Sequence, residues 1–108
     1  MATMPKPVPP IKRIEHFGDH RDEMIVTTLS KGRREEVEFF SKREIKVAFD
    51  FEEGTPFHKA SEFLVRAGQI TSSGPLHERV AAGEKYRYRV YDMKGAGPGA
   101  DPTIIIQG

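Results

Sequence analysis

The clearest pattern of hydrophobic and polar positions lies in residues 84–92. Three apolar side chains alternate there with three basic ones, Tyr86, Tyr88 and Val90 with Lys85, Arg87 and Arg89. Successive side chains of a β-strand point to opposite faces, so this alternation predicts a strand with one buried face and one basic face. A second apolar run, residues 103–107, supplies Ile104 and Ile106 to cover the buried face. The two segments predict the core of a β-sandwich.

Three earlier segments add to the predicted β-structure. Residues 24–29 are apolar and β-branched and end in a turn at residues 30–33, which predicts the first strand. Residues 35–40 suit either a hairpin partner of that strand or a helical turn. In residues 44–51, four apolar positions alternate with more polar ones and predict a half-buried strand. These positions are Ile45, Val47, Phe49 and Phe51.

Residues 55–68 leave two interpretations open. Thr55, Pro56 and Gly68 stand at the positions of an N-cap, a first helical residue and a C-terminal glycine. The alternative is a loop followed by a strand over residues 62–67, with Phe63 and Val65 inward. The surrounding β pattern favours the loop and strand, because sandwiches are built from repeated short strands at this spacing.

The predicted fold is mainly β, a single antiparallel β-sandwich with room for one short helix. That helix would be one turn within residues 76–82, after a loop over residues 70–75. Residues 1–22 contain four prolines in six positions and no sustained period, which predicts a disordered, flexible proline-rich arm. Residues 23–108 then form the β-sandwich domain.

Length, charge and the absence of cysteine narrow the function classes. A chain of 108 residues is expected to form one domain. Its 17 Lys and Arg nearly balance its 16 Asp and Glu, so no overall charge attracts it to nucleic acid or an anionic membrane. The lack of cysteine excludes disulfides, zinc-thiolate sites and thiol catalysis. No stretch resembles a secretory signal or a membrane span, so a cytoplasmic protein is expected unless a signal peptide was removed.

The end of the chain resembles the closing strands of cupredoxin-like and immunoglobulin-like β-sandwiches. Gly83 precedes the alternating tyrosines of residues 84–92, and Asp101 and Pro102 precede the last apolar run. The resemblance spans roughly residues 44–107 and implies the fold only.

Cupredoxins hold copper with two histidines, a cysteine and often a methionine near these strands. In this chain, Val90 or one of its neighbours occupies the position of the cysteine, and Met93 has no histidine or cysteine beside it. The resemblance therefore implies a relative that lacks the copper ligands, and no cofactor is expected.

The histidines allow an alternative function, weak binding of a divalent metal. His16 and His20 are four residues apart, a spacing that on a helix would put both imidazoles on one face. Gly18 and the preceding prolines oppose a helix, so both side chains are expected to be solvated. His58 and His77 lie in separate predicted loops.

Three basic side chains form what we call the basic stripe: Lys85, Arg87 and Arg89. The stripe allows a second alternative function, binding of single-stranded nucleic acid, in which cations meet phosphates and aromatic side chains stack on bases. Alternation puts Tyr86 and Tyr88 on the opposite face, however, and leaves Tyr91 on the basic one. We therefore expect the stripe to pair with acidic neighbours. Candidate neighbours are Glu36, Glu38 and Asp50.

No arrangement of residues in the sequence predicts catalysis. Ser72 and Ser73 stand beside a flexible turn, but no base or oxyanion hole accompanies them. Adjacent acidic residues such as Glu52 and Glu53 point to opposite faces of a strand and do not form a hydrolytic carboxylate pair. We therefore expect a protein that is not an enzyme.

The predicted function is that of a non-catalytic binding or protein-interaction module. Its working surface is expected on three loops, residues 54–58, 71–75 and 93–100, because a rigid sandwich presents variable chemistry on its loops. The binding residues predicted there and on the basic stripe are His58, Ser72, Ser73, Lys85, Arg87 and Arg89. The expected partner is another protein rather than nucleic acid or a membrane, and the expected state is a monomer or a weak homodimer.

Overall fold

A computed structural model of the chain describes residues 10–16, 25–93 and 102–108. Strands, turns and loops form these segments, and none of the described residues lies in a helix. The nine strands are β1 (Ile11–His16), β2 (Val26–Ser30), β3 (Glu36–Ser41), β4 (Ile45–Ala48), β5 (Glu62–Val65), β6 (Ile70–Ser72), β7 (Lys85–Arg87), β8 (Arg89–Asp92) and β9 (Thr103–Gln107). The described segments contain no helix with the length and apolar character that crossing a membrane requires. The protein is mainly β, as its sequence predicts.

The strands pair into three small sheets, in the orders β1-β3-β6, β2-β9-β7 and β5-β4-β8. Two pairs are parallel, β1 with β3 and β2 with β9. The other four pairs are antiparallel. The predicted antiparallel pairing is therefore found in four of the six pairs, and the two parallel pairs were not predicted. Parallel strands are joined by long crossover connections, and no local pattern in the sequence shows which distant segments such a connection will pair.

One hydrophobic cluster takes side chains from all three sheets. At its centre five aromatic rings meet with centroids 4.9–6.5 Å apart. They belong to Phe39, Phe49, Phe57, Phe63 and Tyr88. Each edge-to-face pair stabilises the fold by about 0.5–1.5 kcal/mol beyond its buried area. The three sheets thus pack around a common aromatic centre.

The predicted strand over residues 84–92 is two strands that belong to different sheets. β7 pairs with β9, opposite Ile104, whereas β8 pairs with β4. Tyr88 lies between them and donates its backbone N–H to the carbonyl of Pro102 at 3.0 Å. The predicted alternation is confirmed, since Tyr86, Tyr88 and Val90 are 4%, 0% and 2% exposed. The run that contains Ile104 covers only the first half of the segment.

The prediction of a flexible arm is wrong for residues 11–16. They form β1, which pairs in parallel with β3 and buries Ile14 and His16. The sequence did not predict this strand because a histidine occupies one of its two buried positions, so the apolar alternation is incomplete. Residues 1–9 and 17–22 of the predicted arm lie outside the described segments.

The structure also bears on the predictions for residues 35–40, 55–68, 70–75 and 76–82. The loop and strand within residues 55–68 are confirmed by β5, and the alternative helix is wrong. β3 is a strand rather than a helical turn, but it pairs with β1 and β6, so the predicted hairpin with β2 is wrong. The predicted loop over residues 70–75 contains β6. Residues 76–82 contain turns and no helix.

Candidate functional site

Two of the three predicted binding loops lie against each other. A β-bridge joins Phe57 to Leu76. The N–H of His58 donates to the carbonyl of Pro75, and the N–H of His77 donates to the carbonyl of Pro56, each at 3.0 Å. The loop that follows β4 is thereby fixed to the segment that follows β6. Of the third predicted loop only Met93 is described, and residues 94–100 lie outside the described segments.

Phe57 and His77 fix the paired loops to the rest of the protein. The Phe57 ring is 1% exposed and belongs to the aromatic centre of the core. His77 Nε2 donates to the carbonyl of Thr55 at 3.0 Å, while its Nδ1 accepts the N–H of Arg79 at 3.2 Å. One nitrogen donates and the other accepts, which is the pattern of a neutral imidazole. His77 therefore holds the loops together with both of its ring nitrogens.

An open cavity of about 1140 Å³ lies between the paired loops and the turn that joins β2 to β3. We call it the loop cavity. Three basic side chains line it against two carboxylates, and two imidazoles complete its polar wall. Its lining residues are Lys31, Arg34, Glu36, Thr55, His58, Pro75, Leu76, His77, Glu78 and Arg79. Its wall thus carries more basic than acidic side chains.

Lys31 joins the turn to the opposite wall of the loop cavity. Its Nζ donates to the carbonyls of Val80 at 2.7 Å and Glu78 at 3.1 Å. Its backbone N–H donates to the carbonyl of Gln107 at 2.8 Å, which anchors the turn on β9. Because one side chain spans both walls, the spacing of the loop cavity is set within the chain.

The other two basic side chains of the loop cavity, Arg34 and Arg79, are exposed. Within the described segments neither guanidinium has a carboxylate at ion-pair distance. A guanidinium matches a carboxylate or phosphate with two parallel hydrogen bonds. The loop cavity therefore offers two cations that can meet an anionic ligand.

Arg34 has a left-handed backbone, with a φ of 56°, and closes the turn after β2. Its N–H donates to the carbonyl of Lys31 at 3.1 Å. The next residue, Glu35, is 6% exposed and accepts the N–H of Ser30 at 2.7 Å, which locks the turn. A residue with a Cβ in this conformation costs about 1–2 kcal/mol, and glycine or asparagine usually occupies it.

The structure places the predicted loop residues differently. His58 is exposed and lines the loop cavity. Ser73 is fully buried, where its Oγ accepts the N–H of Val37 at 2.9 Å and donates to the carbonyl of Gly74 at 2.9 Å. The Oγ of Ser72 accepts the N–H of Gly74 at 3.2 Å. Both serines shape the turn after β6 and do not line the loop cavity.

Two of the three residues of the basic stripe, Arg87 and Arg89, are paired with carboxylates, and one of the two partners, Asp50, is a predicted one. Arg87 donates from Nε and Nη2 to the two carboxylate oxygens of Glu53, at 2.8 and 3.0 Å. These hydrogen bonds, with the charge of Arg87, lower the pKa of Glu53 from 4.5 to about 2. Arg89 lies 3.5 Å from Asp50. Glu38 pairs instead with Arg13 on the neighbouring strand β1.

Two aromatic side chains share the basic face. Phe51 lies beneath the guanidinium groups of Arg87 and Arg89, 4.5 and 4.6 Å from its ring centroid. Tyr91 donates its hydroxyl to Asp50 at 3.1 Å. The prediction that Phe51 points inward is wrong, because β4 ends at Ala48 and the chain turns at residues 51–53.

The first of the two spaced histidines is part of the core. His16 is fully buried, and its Nε2 shares a 3.1 Å hydrogen bond with the hydroxyl of Tyr88. The prediction of a solvated side chain is therefore wrong for His16, and His20 lies outside the described segments. Among the described residues, no three histidine, aspartate or glutamate side chains come together in a group that could hold a metal ion.

No protein family model matches the chain, and neither a curated protein nor a solved structure matches it significantly. Sequence reasoning selected His58 but missed Lys31, Arg34 and Arg79. The basic pair Arg33 and Arg34 in a turn was a visible signal, but no local pattern shows that this turn faces the loops after β4 and β6. The geometry of the loop cavity therefore provides the evidence for a function.

Proposed function

We propose that the protein is a non-catalytic binding module that docks a partner protein at the loop cavity. One observation carries this proposal. Two loops and a turn, from separate parts of the chain, surround a cavity in which Arg34 and Arg79 have no described carboxylate at ion-pair distance. Arg43 and Arg87 are paired within the chain, and the exposed Arg33 and Arg66, which also lack a described carboxylate at that distance, do not line the loop cavity.

The size and rigidity of the loop cavity support a polypeptide ligand. Sites for small molecules enclose about 300–1,000 Å³ and bury most of their ligand. The loop cavity is larger, at about 1140 Å³, and open to solvent. Phe57 and Lys31 fix its walls before any ligand arrives, so little ordering entropy is lost on binding. An open, preformed groove of this size suits a segment of another chain.

The proposal includes a relation to copperless cupredoxin-like or immunoglobulin-like sandwiches. Three sheets around one aromatic core and a closing segment that passes between sheets are compatible with such a fold. Val90, where the copper-binding cysteine is expected, is 2% exposed and packs in the core. An alkyl side chain cannot bind copper, so this position supports a structural role.

One observation supports the alternative function, binding of single-stranded nucleic acid at the basic stripe. Phe51 and Tyr91 do share the face of the basic stripe. However, a phosphate at Arg87 would have to displace the two-point contact with Glu53, and one at Arg89 would compete with Asp50. Single-stranded oligonucleotides are expected not to bind at low ionic strength, where such contacts are strongest.

Affinity capture with a blocked cavity tests the proposed function. The variant His58→Trp puts a bulky side chain into the loop cavity at an exposed position, and Arg66→Trp puts the same side chain on an exposed turn outside it. We expect wild type and Arg66→Trp to retain the same protein from an extract of the source cells, and His58→Trp to lose it. Capture of nothing, or equal capture by His58→Trp, would contradict the proposal.

A further inference from the structure

We propose that the loop cavity recognises a carboxylate-rich segment of its partner, and that Arg34 and Arg79 bind the carboxylates of that segment. This inference rests on the proposed function and specifies the chemistry of the partner. Two independent observations support it, the distribution of charge in the loop cavity and the backbone conformation of Arg34.

The first observation concerns where the chain pairs its own charges. Arg13, Arg43 and Arg87 each lie within 3.4 Å of a carboxylate oxygen. Four other described arginines, Arg33, Arg34, Arg66 and Arg79, have no described carboxylate at such a distance, and of these only Arg34 and Arg79 line the loop cavity. A partner carboxylate could take two hydrogen bonds from either guanidinium without displacing a group of this chain.

The two carboxylates of the loop cavity favour carboxylate over phosphate as the ligand. Glu36 and Glu78 line the same wall as the cations. They leave separated single charges as a better match than one concentrated charge, because a ligand can then place each charge beside a guanidinium and away from the glutamates. A phosphate group concentrates nearly two negative charges at one point at pH 7, whereas an acidic segment carries single charges spaced along its chain.

The second observation is the left-handed backbone of Arg34. Its φ is 56°, in a region that glycine or asparagine usually occupies. The same turn contains a glycine, Gly32, which is not among the residues of positive φ in the described segments. The sequence therefore puts an arginine where a glycine would be less strained. Strained residues concentrate at binding sites, and the Arg34 side chain lines the loop cavity.

This conformation separates the binding role of Arg34 from a structural one. Replacement of Arg34 by glycine removes the guanidinium and at the same time relieves the backbone strain. If the role of Arg34 were structural, Arg34→Gly would lower the free energy of unfolding. If Arg34 is retained for binding, Arg34→Gly leaves the free energy of unfolding unchanged or raises it, and it lowers the affinity for an acidic ligand.

The probe is a fluorescein-labelled hexaglutamate peptide with a blocked C-terminus, with hexaglutamine as its uncharged match. Fluorescence anisotropy in low salt follows binding to the full chain. We expect wild type to bind hexaglutamate at least about tenfold more tightly than hexaglutamine, because a charge-assisted hydrogen bond is worth about one factor of ten or more. Arg34→Gly and Arg79→Gln should each lose about tenfold, and the matched exposed variant Arg66→Gln less than about twofold.

Several results would overturn the inference. Equal binding of the two peptides by wild type would do so, as would unchanged hexaglutamate affinity in Arg34→Gly. A lower melting temperature of Arg34→Gly would assign the arginine to the fold. Tighter binding of a hexapeptide with phosphoserine in place of each glutamate would assign the site to phosphate. Competition by an oligothymidylate that Arg34→Gly does not weaken would assign the binding to the basic stripe.

The capture experiment distinguishes this inference from the proposed function. If His58→Trp loses a partner that Arg34→Gly retains, the loop cavity binds a protein by means other than its charge, and only the acidic ligand is wrong. If hexaglutamate binds and no cellular protein is captured by wild type, the anionic site stands and the proposed function is wrong.

Discussion

Two arginines on the surface of this protein are used in opposite ways. Arg87 is held by both carboxylate oxygens of Glu53, so its charge is neutralised within the chain. Arg34 lines the loop cavity, where no described carboxylate lies at ion-pair distance. A ligand anion can reach Arg34 without competition, whereas at Arg87 it competes with Glu53. This difference between residues is the reason to assign binding to the loop cavity.

The pair of Glu53 and Arg87 predicts a carboxyl group that stays ionised in acid. Its pKa is lowered from 4.5 to about 2 in the folded protein, so the pair stabilises the fold above pH 4.5. That stabilisation is lost as the pH falls from 4.5 towards 2. NMR titration of the Glu53 carboxyl carbon should give a midpoint near 2, and in Arg87→Gln a clearly higher one. A wild-type midpoint close to 4.5 would show that the pair does not form in solution.

Because the hydrogen bond between His16 and Tyr88 is buried, we expect the loss of the Tyr88 hydroxyl alone to lower the stability of the fold. Tyr88→Phe removes the partner of His16 Nε2 from a fully buried site and should lower the free energy of unfolding by about 1–3 kcal/mol. Tyr91→Phe removes a hydroxyl from an exposed hydrogen bond and should change it by less than about 0.5 kcal/mol. Urea unfolding measures both. Equal effects of the two variants would mean that His16 and Tyr88 do not interact.

The sequence predicts burial where residue type and alternation agree. Tyr86, Tyr88 and Val90 are buried as expected, Tyr86 and Val90 at inward positions of β7 and β8 and Tyr88 at the junction between them. The burial of His16 was not predicted. Its side chain is buried because its Nε2 forms a hydrogen bond with the hydroxyl of Tyr88, which is 72 positions away in the sequence. The positive φ of Arg34 was not predicted either, since arginine carries no preference for that conformation.

Among the elements, the closing segment shows how local pattern and sheet pairing separate. Residues 85–90 alternate without interruption in sequence, yet β7 joins β9 and β8 joins β4. Alternation fixes which side chains face the core, and it contains no information about which strand lies alongside. The segment links two sheets because its hydrogen-bond partners change at Tyr88.

Because residues 11–16 form β1 and not a flexible arm, we expect their buried side chains to contribute to stability. Ile14→Ala removes a side chain that is 3% exposed and should lower the free energy of unfolding by about 2–5 kcal/mol. Ile11→Ala, on the same strand but 48% exposed, should lower it by less than about 1 kcal/mol. Urea unfolding with a tryptophan-free readout such as circular dichroism compares the two. Similar small losses in both variants would indicate that β1 is not formed in solution.

The elements that the sequence predicts are those with strong alternation. β5 and β7 bury every second side chain, β4 buries Ile45, Val47 and also Ala48, and all three were recognised from their apolar positions. β1 and β6, which flank β3 in one sheet, were not recognised, because a histidine occupies one of the two buried positions of β1 and neither strand has a regular apolar alternation. β6 is only three residues long and has no buried position, so no apolar pattern could reveal it.

At the scale of the whole molecule, the loop cavity exists because the fold joins three distant segments. The sequence predicted that the loops at residues 54–58 and 71–75 would form a surface. In the structure, the first of these loops forms hydrogen bonds with residues 75–77. The turn after β2 supplies the opposite wall and two of the three basic side chains. Its position follows from the parallel pairing of β2 with β9, a long-range contact that no local pattern contains.

An NMR titration of the labelled protein with hexaglutamate tests the central claim most directly, because it shows where the ligand binds as well as whether it does. Binding at the loop cavity predicts that the largest amide shifts occur in residues 31–36, 54–58 and 75–79, and that they are lost in Arg34→Gly. Largest shifts at Phe51, Arg87 and Tyr91, or no shifts at millimolar peptide, would contradict the assignment of the loop cavity as an acidic-ligand binding surface.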